Sequence, residues 1–285
     1  MRWDVGKVYR DIRKSKGLSQ EDVCGNEISR VSLSKFENCK SIPSFEHMLY
    51  LLDQIDMTVE EFVYICNLYH PSERQKILDK MQDIPALLGT NGIRDILEDC
   101  ERYLKRSHDI TIQNIFLRLR LVNHIRENGL TEKVEERQEF VDQILIYLEK
   151  HDTWYLSDLK FLTAVLFSLS FESLEYLTDK ILLTLDKYDG FIEVIDKKFG
   201  IYANLSTVYL VNGRIKQATE FADRMLDVAQ KTKRYDFLGF AWVRLGICQS
   251  NQSLIEKGVD LLELCSDNLA LQQIKMEIDR SFMQH

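Results

Sequence analysis

Three prolines and twelve glycines are all that this 285-residue chain contains. So few breakers, among long stretches with helical apolar spacing, point to an all-α protein. The six cysteines (24, 39, 66, 100, 248 and 265) include no CxxC pair, and no histidine stands at zinc-finger spacing from them. That excludes the usual zinc modules and predicts buried, reduced thiols in a cytosolic protein. No apolar h-region opens the chain, so no signal peptide is expected. The longest apolar stretch, Phe161 to Phe171, is about half the roughly 20 residues that span a bilayer. A soluble cytoplasmic protein without membrane contact is therefore expected. GxxxxGK[ST], HExxH, GxSxG and GxGxxG are all absent, which removes the usual phosphate cradle, zinc site, nucleophile elbow and dinucleotide turn. The six histidines are scattered. The expectation is no catalytic residue, no metal, no cofactor and no enzymatic activity.

What is present is an uneven charge. The net charge is −8, yet residues 1–40 carry nine Lys/Arg against six Asp/Glu, leaving 28 against 39 for the remainder. A cationic beginning on an acidic body favours docking to phosphate through one end only. Hydrophobic residues make up 45 % of the chain, enough for an ample core, and the length suits two domains.

The basic end is organised around Leu18 to Pro43. Ser19 can cap a short helix, with Asp22 three residues on to return the bond. Gly25 and Asn26 break that helix. Ser29 starts a second one, whose Leu33 and Phe36 share one face while Arg30, Ser32, Ser34, Lys35 and Asn38 lie on the other. Two short helices at an angle, the second polar and basic outside, form a helix-turn-helix able to fill a major groove. Arg30 and Lys35 can reach guanine edges or phosphates, and serines can serve either. Gln20 places its amide among the free N–H groups of a helix start, where phosphates dock. A preceding helix over 4–16 turns Val5, Val8, Tyr9 and Ile12 inward and carries Arg13 among its basic residues. Two more helices follow. Ser44 caps one that buries Phe45, Met48, Leu49, Leu51 and Leu52. Thr58-Val-Glu-Glu61 boxes another that buries Val59, Phe62, Val63 and Ile65.

The run from Leu18 to Phe62 resembles the helix-turn-helix of phage repressors and related bacterial regulators. The resemblance is carried by Leu18-Ser-Gln20, Ile28-Ser29, Leu33-Ser-Lys-Phe-Glu37, Pro43-Ser44 and Thr58-Val-Glu-Glu-Phe62. It implies a phosphate contact for Gln20 and base reading by Ser29, Arg30, Val31, Ser34 and Lys35, with Arg13 added to the DNA-binding set. The turn is about one residue shorter than the family's. Cys39 stands where a glycine normally ends the recognition helix, and a left-handed conformation there costs a non-glycine residue about 1 kcal/mol.

His70-Pro71-Ser72 interrupts the pattern, giving expected domains of 1–69 (DNA binding), a linker at 70–74, and 75–285. The second domain reads as helices over 73–81, 93–105, 109–128, 131–150, 154–169, 171–187, 191–212, 214–231, 234–250, 254–265 and 267–282. Tyr202-Ala-Asn-Leu-Ser206 with Tyr209, Gly213 and Ala218 resembles a tetratricopeptide repeat. Forty residues on, Trp242-Val-Arg-Leu-Gly246 is followed by Gly258 at the offset of Ala218. Helix pairs of this kind are expected to stack into a right-handed superhelix. Its inner face would be lined by Asn204, Thr207 and Val211 and then by Arg244 and Ile247. An Asn amide can hold an extended peptide backbone, and an Arg can fork onto a carboxylate. Arg118 and Asn123 on the 109–128 helix, and Tyr155 beyond it, complete the candidate peptide-binding set.

A phage-repressor-like domain followed by degenerate helical repeats resembles the Rgg/GadR/MutR transcription regulators, in the wider group of quorum-sensing regulators controlled by short imported peptides. The resemblance implies a homodimer with paired DNA heads on palindromic promoter sites. It also implies a short hydrophobic signalling peptide on the concave face of the repeats. The other reading the sequence leaves open is a helical-repeat interaction scaffold that does not bind DNA.

Overall fold

The computed structural model describes residues 4–82, 92–128, 134–169, 171–191, 194–265, 271, 274–275 and 278. Among them are fifteen α-helices and no strand. The chain divides into two compact units, Met1–Asp79 and Lys80–His285. The expected helix over 267–282 falls mostly outside the described residues.

The first unit holds α1 (Val5–Ser15), α2 (Gln20–Cys24), α3 (Arg30–Glu37), α4 (Phe45–Gln54), α5 (Val59–Cys66) and most of α6 (Glu73–Gln82). Their starts are set locally. Ser19 and Asp22 form a full capping box, and the side chains of Ser29, Ser44 and Thr58 each accept the backbone N–H three residues on. Between α2 and α3 the chain turns at Gly25, at φ 47°, where a Cβ would meet the Tyr50 hydroxyl at 2.3 Å. At the end of α3, Cys39 N–H donates to Phe36 O and Lys40 N–H to Lys35 O, both at 2.8 Å. This is a Schellman closure with Cys39 in the left-handed region, at φ 57°.

Tyr9, Val23, Leu33, Phe36, Leu51, Leu52 and Phe62 form this unit's core. Gly6 lets α1 lie directly on α3, because a Cβ there would sit 1.8 Å from the Phe36 carbonyl oxygen. Four residues expected inside are exposed instead: Phe45 (74 %), Leu49, Val59 and Val63. Periodicity places them on apolar faces of α4 and α5, but no described residue of this unit covers these four.

The second unit continues with α7 (Ile93–Leu104), α8 (Ile110–Asn128), α9 (Val134–Glu149), α10 (Leu156–Val165), a 3-10 turn at Leu166–Ser168, and α11 (Phe171–Asp186). It ends in α12 (Ile195–Val211), α13 (Ile215–Thr232), α14 (Tyr235–Gln249) and α15 (Gln252–Leu264). The repeat signal lies in these last four. Ser206 donates to Ala218 O at 2.9 Å across α12 and α13. The rings of Phe199 and Phe237 stack, joining α12 to α14. In the second pair, a Cβ on Gly258 would lie 2.6 Å from the Gly239 carbonyl oxygen, so α14 and α15 meet backbone to backbone. Three successive turns close alike, with Arg214 N–H on Tyr209 O, Arg234 N–H on Ala229 O and Asn251 N–H on Gly246 O. The left-handed residues at those turns are Gly213, Lys233 and Ser250.

The thiols depart in part from expectation. Cys24, Cys66, Cys100 and Cys248 are buried, but Cys39 and Cys265 are exposed. Burial pushes the Cys100 thiol up to about 11. No helix among the described residues is long and apolar enough to cross a membrane.

Candidate functional site

The exposed side of α3 is a narrow stripe. Leu33, Phe36 and Glu37 face inward, while Val31, Lys35 and Asn38 follow one another outside, with half-buried Ser34 beside them. Ser29 Oγ accepts Ser32 N–H at 3.1 Å and lies 2.9 Å from Ser32 Oγ, so the first turn is fixed by its own cap. Arg30 lies 3.8 Å from Glu21 with both side chains well exposed. Such a pair is worth little in water and leaves the guanidinium available. Arg10 donates to Asn38 Oδ1 at 3.3 Å, tying α1 to the far end of the stripe.

Beneath the stripe lies a buried polar knot that the sequence reading missed. Arg13 donates from Nε to Glu37 Oε1 at 2.6 Å and from Nη2 to Oε2 at 2.9 Å, and its Nη1 reaches Leu18 O. Donation to the Glu37 carboxylate raises the Arg13 guanidinium pKa above its ordinary value. Gln20 Nε2 also donates to Glu37 Oε2, at 2.8 Å. Arg13 is only 4 % exposed. Its placement among DNA-contacting residues is therefore corrected: the guanidinium is spent inside the unit, locking α1 to α3. The Gln20 amide carries two N–H groups, one of them engaged by Glu37. The available signal was Glu37 itself, an acid on the apolar side of α3 that requires a buried cation.

In the second unit the eight expected peptide contacts do not converge. Arg244 is fully buried and donates to Thr207 Oγ1 at 2.6 Å and to Ala203 O at 3.4 Å. Asn204 is 6 % exposed. Both are corrected from ligand contacts to interior residues. Arg244 clamps α14 onto α12, and Thr207, which donates to Ala203 O, is held by that clamp. Val211 is exposed and Ile247 half-buried.

Of the earlier candidates, Asn123 and Tyr155 stand at two separate hollows, and Arg118 lines neither. One, of about 320 Å³, lies among α7, α8 and α9 and is lined by Leu97, Phe116, Arg120, Asn123, His124, Glu127 and Phe140. Arg120 sits over the Phe140 ring, 4.7 Å from its centroid. The other, of about 440 Å³, is formed where α9 passes into α10 and includes Tyr147, His151, Tyr155 and Asp158. There the buried Asp158 accepts Tyr155 N–H at 2.8 Å and lies 3.3 Å from His151 Nδ1. Arg118 is half-buried, with its guanidinium pKa lowered by desolvation, and makes no hydrogen bond or ion pair among the described residues. The described residues contain no cluster able to hold a metal ion.

Neither a protein-family model nor a curated protein matches the sequence. Solved structures do match. A protein of Listeria monocytogenes EGD-e, described as a candidate transcriptional regulator, superposes with a TM-score of 0.75 at 17 % identity, over 99 % of this chain and 98 % of that one. Bacillus thuringiensis PlcR, solved with the peptide PapR7 and DNA, gives 0.70 at 13 % identity, over 97 % and 99 %. The Streptococcus dysgalactiae SHP pheromone receptor Rgg2 gives 0.64 at 14 %, over 97 % and 99 %. The chain has the fold of these proteins.

Proposed function

We propose that this protein is a sequence-specific DNA-binding transcription regulator whose activity is set by a short signalling peptide bound in its helical array. The observation that carries the reading is the outer stripe of α3, capped by Ser29 and braced from below by Arg13, Glu37 and Gln20. Its polar and cationic side chains face solvent on a helix short enough to enter a major groove. Arg30, Val31, Ser34 and Lys35 are assigned to the bases and nearest phosphates, with Ser29 and Gln20 at the backbone. Support for the peptide arm is the shared fold with PlcR, solved with a peptide and DNA, and with the pheromone receptor Rgg2. Arg118, Asn123 and Tyr155 are the residues assigned to peptide, since Asn204 and Arg244 are interior. The protein acts in the cytoplasm as a homodimer, without catalysis, on palindromic sites whose half-sites lie about 34 Å apart.

Selection from a random duplex library tests this reading. The full chain should enrich a two-fold symmetric site, and Arg30→Ala with Lys35→Ala should abolish enrichment without changing thermal unfolding. Failure of the unmodified chain to enrich any sequence would instead favour an interaction scaffold.

A further inference from the structure

The hollow where α9 passes into α10 has its nearby N–H donors committed inside the protein. Trp154 Nε1–H donates to Leu148 O at 3.2 Å, at the end of α9. Tyr155 N–H donates to Asp158 Oδ2 at 2.8 Å, at the start of α10. His151 Nδ1 lies 3.3 Å from Asp158 Oδ1, so a proton on that nitrogen is directed to the carboxylate. Asn114 Nδ2 donates to the Tyr147 hydroxyl at 3.2 Å. The Tyr147 ring is fixed as well, edge-on to His151 and stacked on Phe161.

The charge of this wall is one-sided. Asp152 and Asp158 both line the hollow, and neither lysine nor arginine is among its described lining residues. Two carboxylates against at most one imidazolium leave the wall net negative in either protonation state of His151. The hollow among α7, α8 and α9 differs, because Arg120 lines it together with Glu127. Asp158 is buried and engaged through both oxygens. Asp152 is exposed and makes no hydrogen bond or ion pair among the described residues. Beside it the Tyr155 ring is 59 % exposed. An unengaged carboxylate next to an open aromatic ring suits a compact cation. A primary ammonium brings three donors to such acceptors and is drawn to a ring face. At about 440 Å³ the hollow is large enough for one end or one side chain of a peptide.

We propose that this hollow binds a primary ammonium group of the signalling peptide, with Asp152 as counter-ion and Tyr155 as the aromatic wall. The inference rests on the reading of this protein as peptide-controlled and adds the chemistry by which one part of the peptide is recognised. The ammonium is either the free amino terminus or a lysine side chain, and the experiment separates the two.

The immobilised full chain is offered three hexapeptide pools, and retained peptides are identified by mass spectrometry. The first pool has free amino termini and lacks lysine and arginine. The second lacks them too and is acetylated at the terminus. The third is acetylated but contains lysine. Preferential retention of the first pool assigns the amino terminus, and of the third the lysine side chain. A retained peptide, resynthesised with its amine acetylated, should bind about tenfold more weakly by calorimetry, the low end for losing a hydrogen bond to a charged group. Asp152→Asn should weaken binding of the amine form about fivefold, as expected of an exposed ion pair at its strongest. It should bind the acetylated form as the unmodified protein does and keep the same thermal midpoint. Retention of the second pool as strong as that of the others overturns the proposal and leaves the peptide reading standing. So does a loss on acetylation that is undiminished in Asp152→Asn. No retention from any pool overturns the peptide reading and this proposal with it.

Discussion

At the residue scale, Arg13 shows where side-chain chemistry alone misleads. A basic residue on a basic helix next to a helix-turn-helix reads as a phosphate contact, and only its partner 24 positions away reveals otherwise. Amphipathic spacing marks which positions turn inward but carries no information about long-range pairing of a buried charge. Because both members are almost fully covered, removing one strands the other in the interior. Arg13→Met should therefore cost about 3–5 kcal/mol of stability, measured by urea unfolding, whereas Arg30→Ala on the exposed stripe should leave unfolding unchanged. Asp99 gives a second residue-scale test. A hydrogen bond from Lys80, helped by Arg102, holds its carboxyl below the ordinary carboxylate value of about 3.9. A depressed folded pKa contributes stability above the unfolded value and loses it as pH falls through the folded one. The stability advantage over Asp99→Asn should thus be full near neutrality and shrink steadily below about pH 4, read as the difference in thermal midpoint.

Among elements, the helix starts were the most legible feature because caps are local. Ser19, Ser29, Ser44 and Thr58 each act within three residues of themselves. Cys39, which stands where the family's glycine normally ends the recognition helix, does adopt the left-handed conformation. The exposed Phe45, Leu49, Val59 and Val63 were not legible. A helical period tells which residues share a face, not whether another element exists to cover it. The repeat pair was read for the right reason, since Ala218 and Gly258 do sit where helices close on one another. Arg244 and Asn204 were misread because equivalent positions in two repeats fix register, not which surface they meet. Gly258→Ala should push its new Cβ against the Gly239 carbonyl and Val243, destabilising the Lys80–His285 unit by about 1–3 kcal/mol. An unchanged urea midpoint would show that α14 and α15 can separate without cost.

On the scale of the whole molecule, two stretches of opposite charge balance, residues 1–40 and residues 41–285, answer two different partners in the proposed account. A short cationic beginning suits a polyanion, and the acidic remainder, at 28 Lys/Arg against 39 Asp/Glu, keeps the rest of the chain off it. A signalling peptide can alter DNA affinity only by binding one arrangement of the protein better than the other. Added peptide should therefore change the affinity for the duplex by the same factor by which duplex changes the affinity for peptide.

The most direct measurement of the central claim is the salt dependence of binding to the selected duplex, by fluorescence anisotropy, for the unmodified chain and for Arg30→Ala with Lys35→Ala. If α3 lies in the groove, affinity falls steeply with salt and the double variant loses about two units of the log–log slope if both cations meet phosphates, or keeps the slope and loses sequence preference if both meet bases. The same slope and the same preference in both proteins would contradict it.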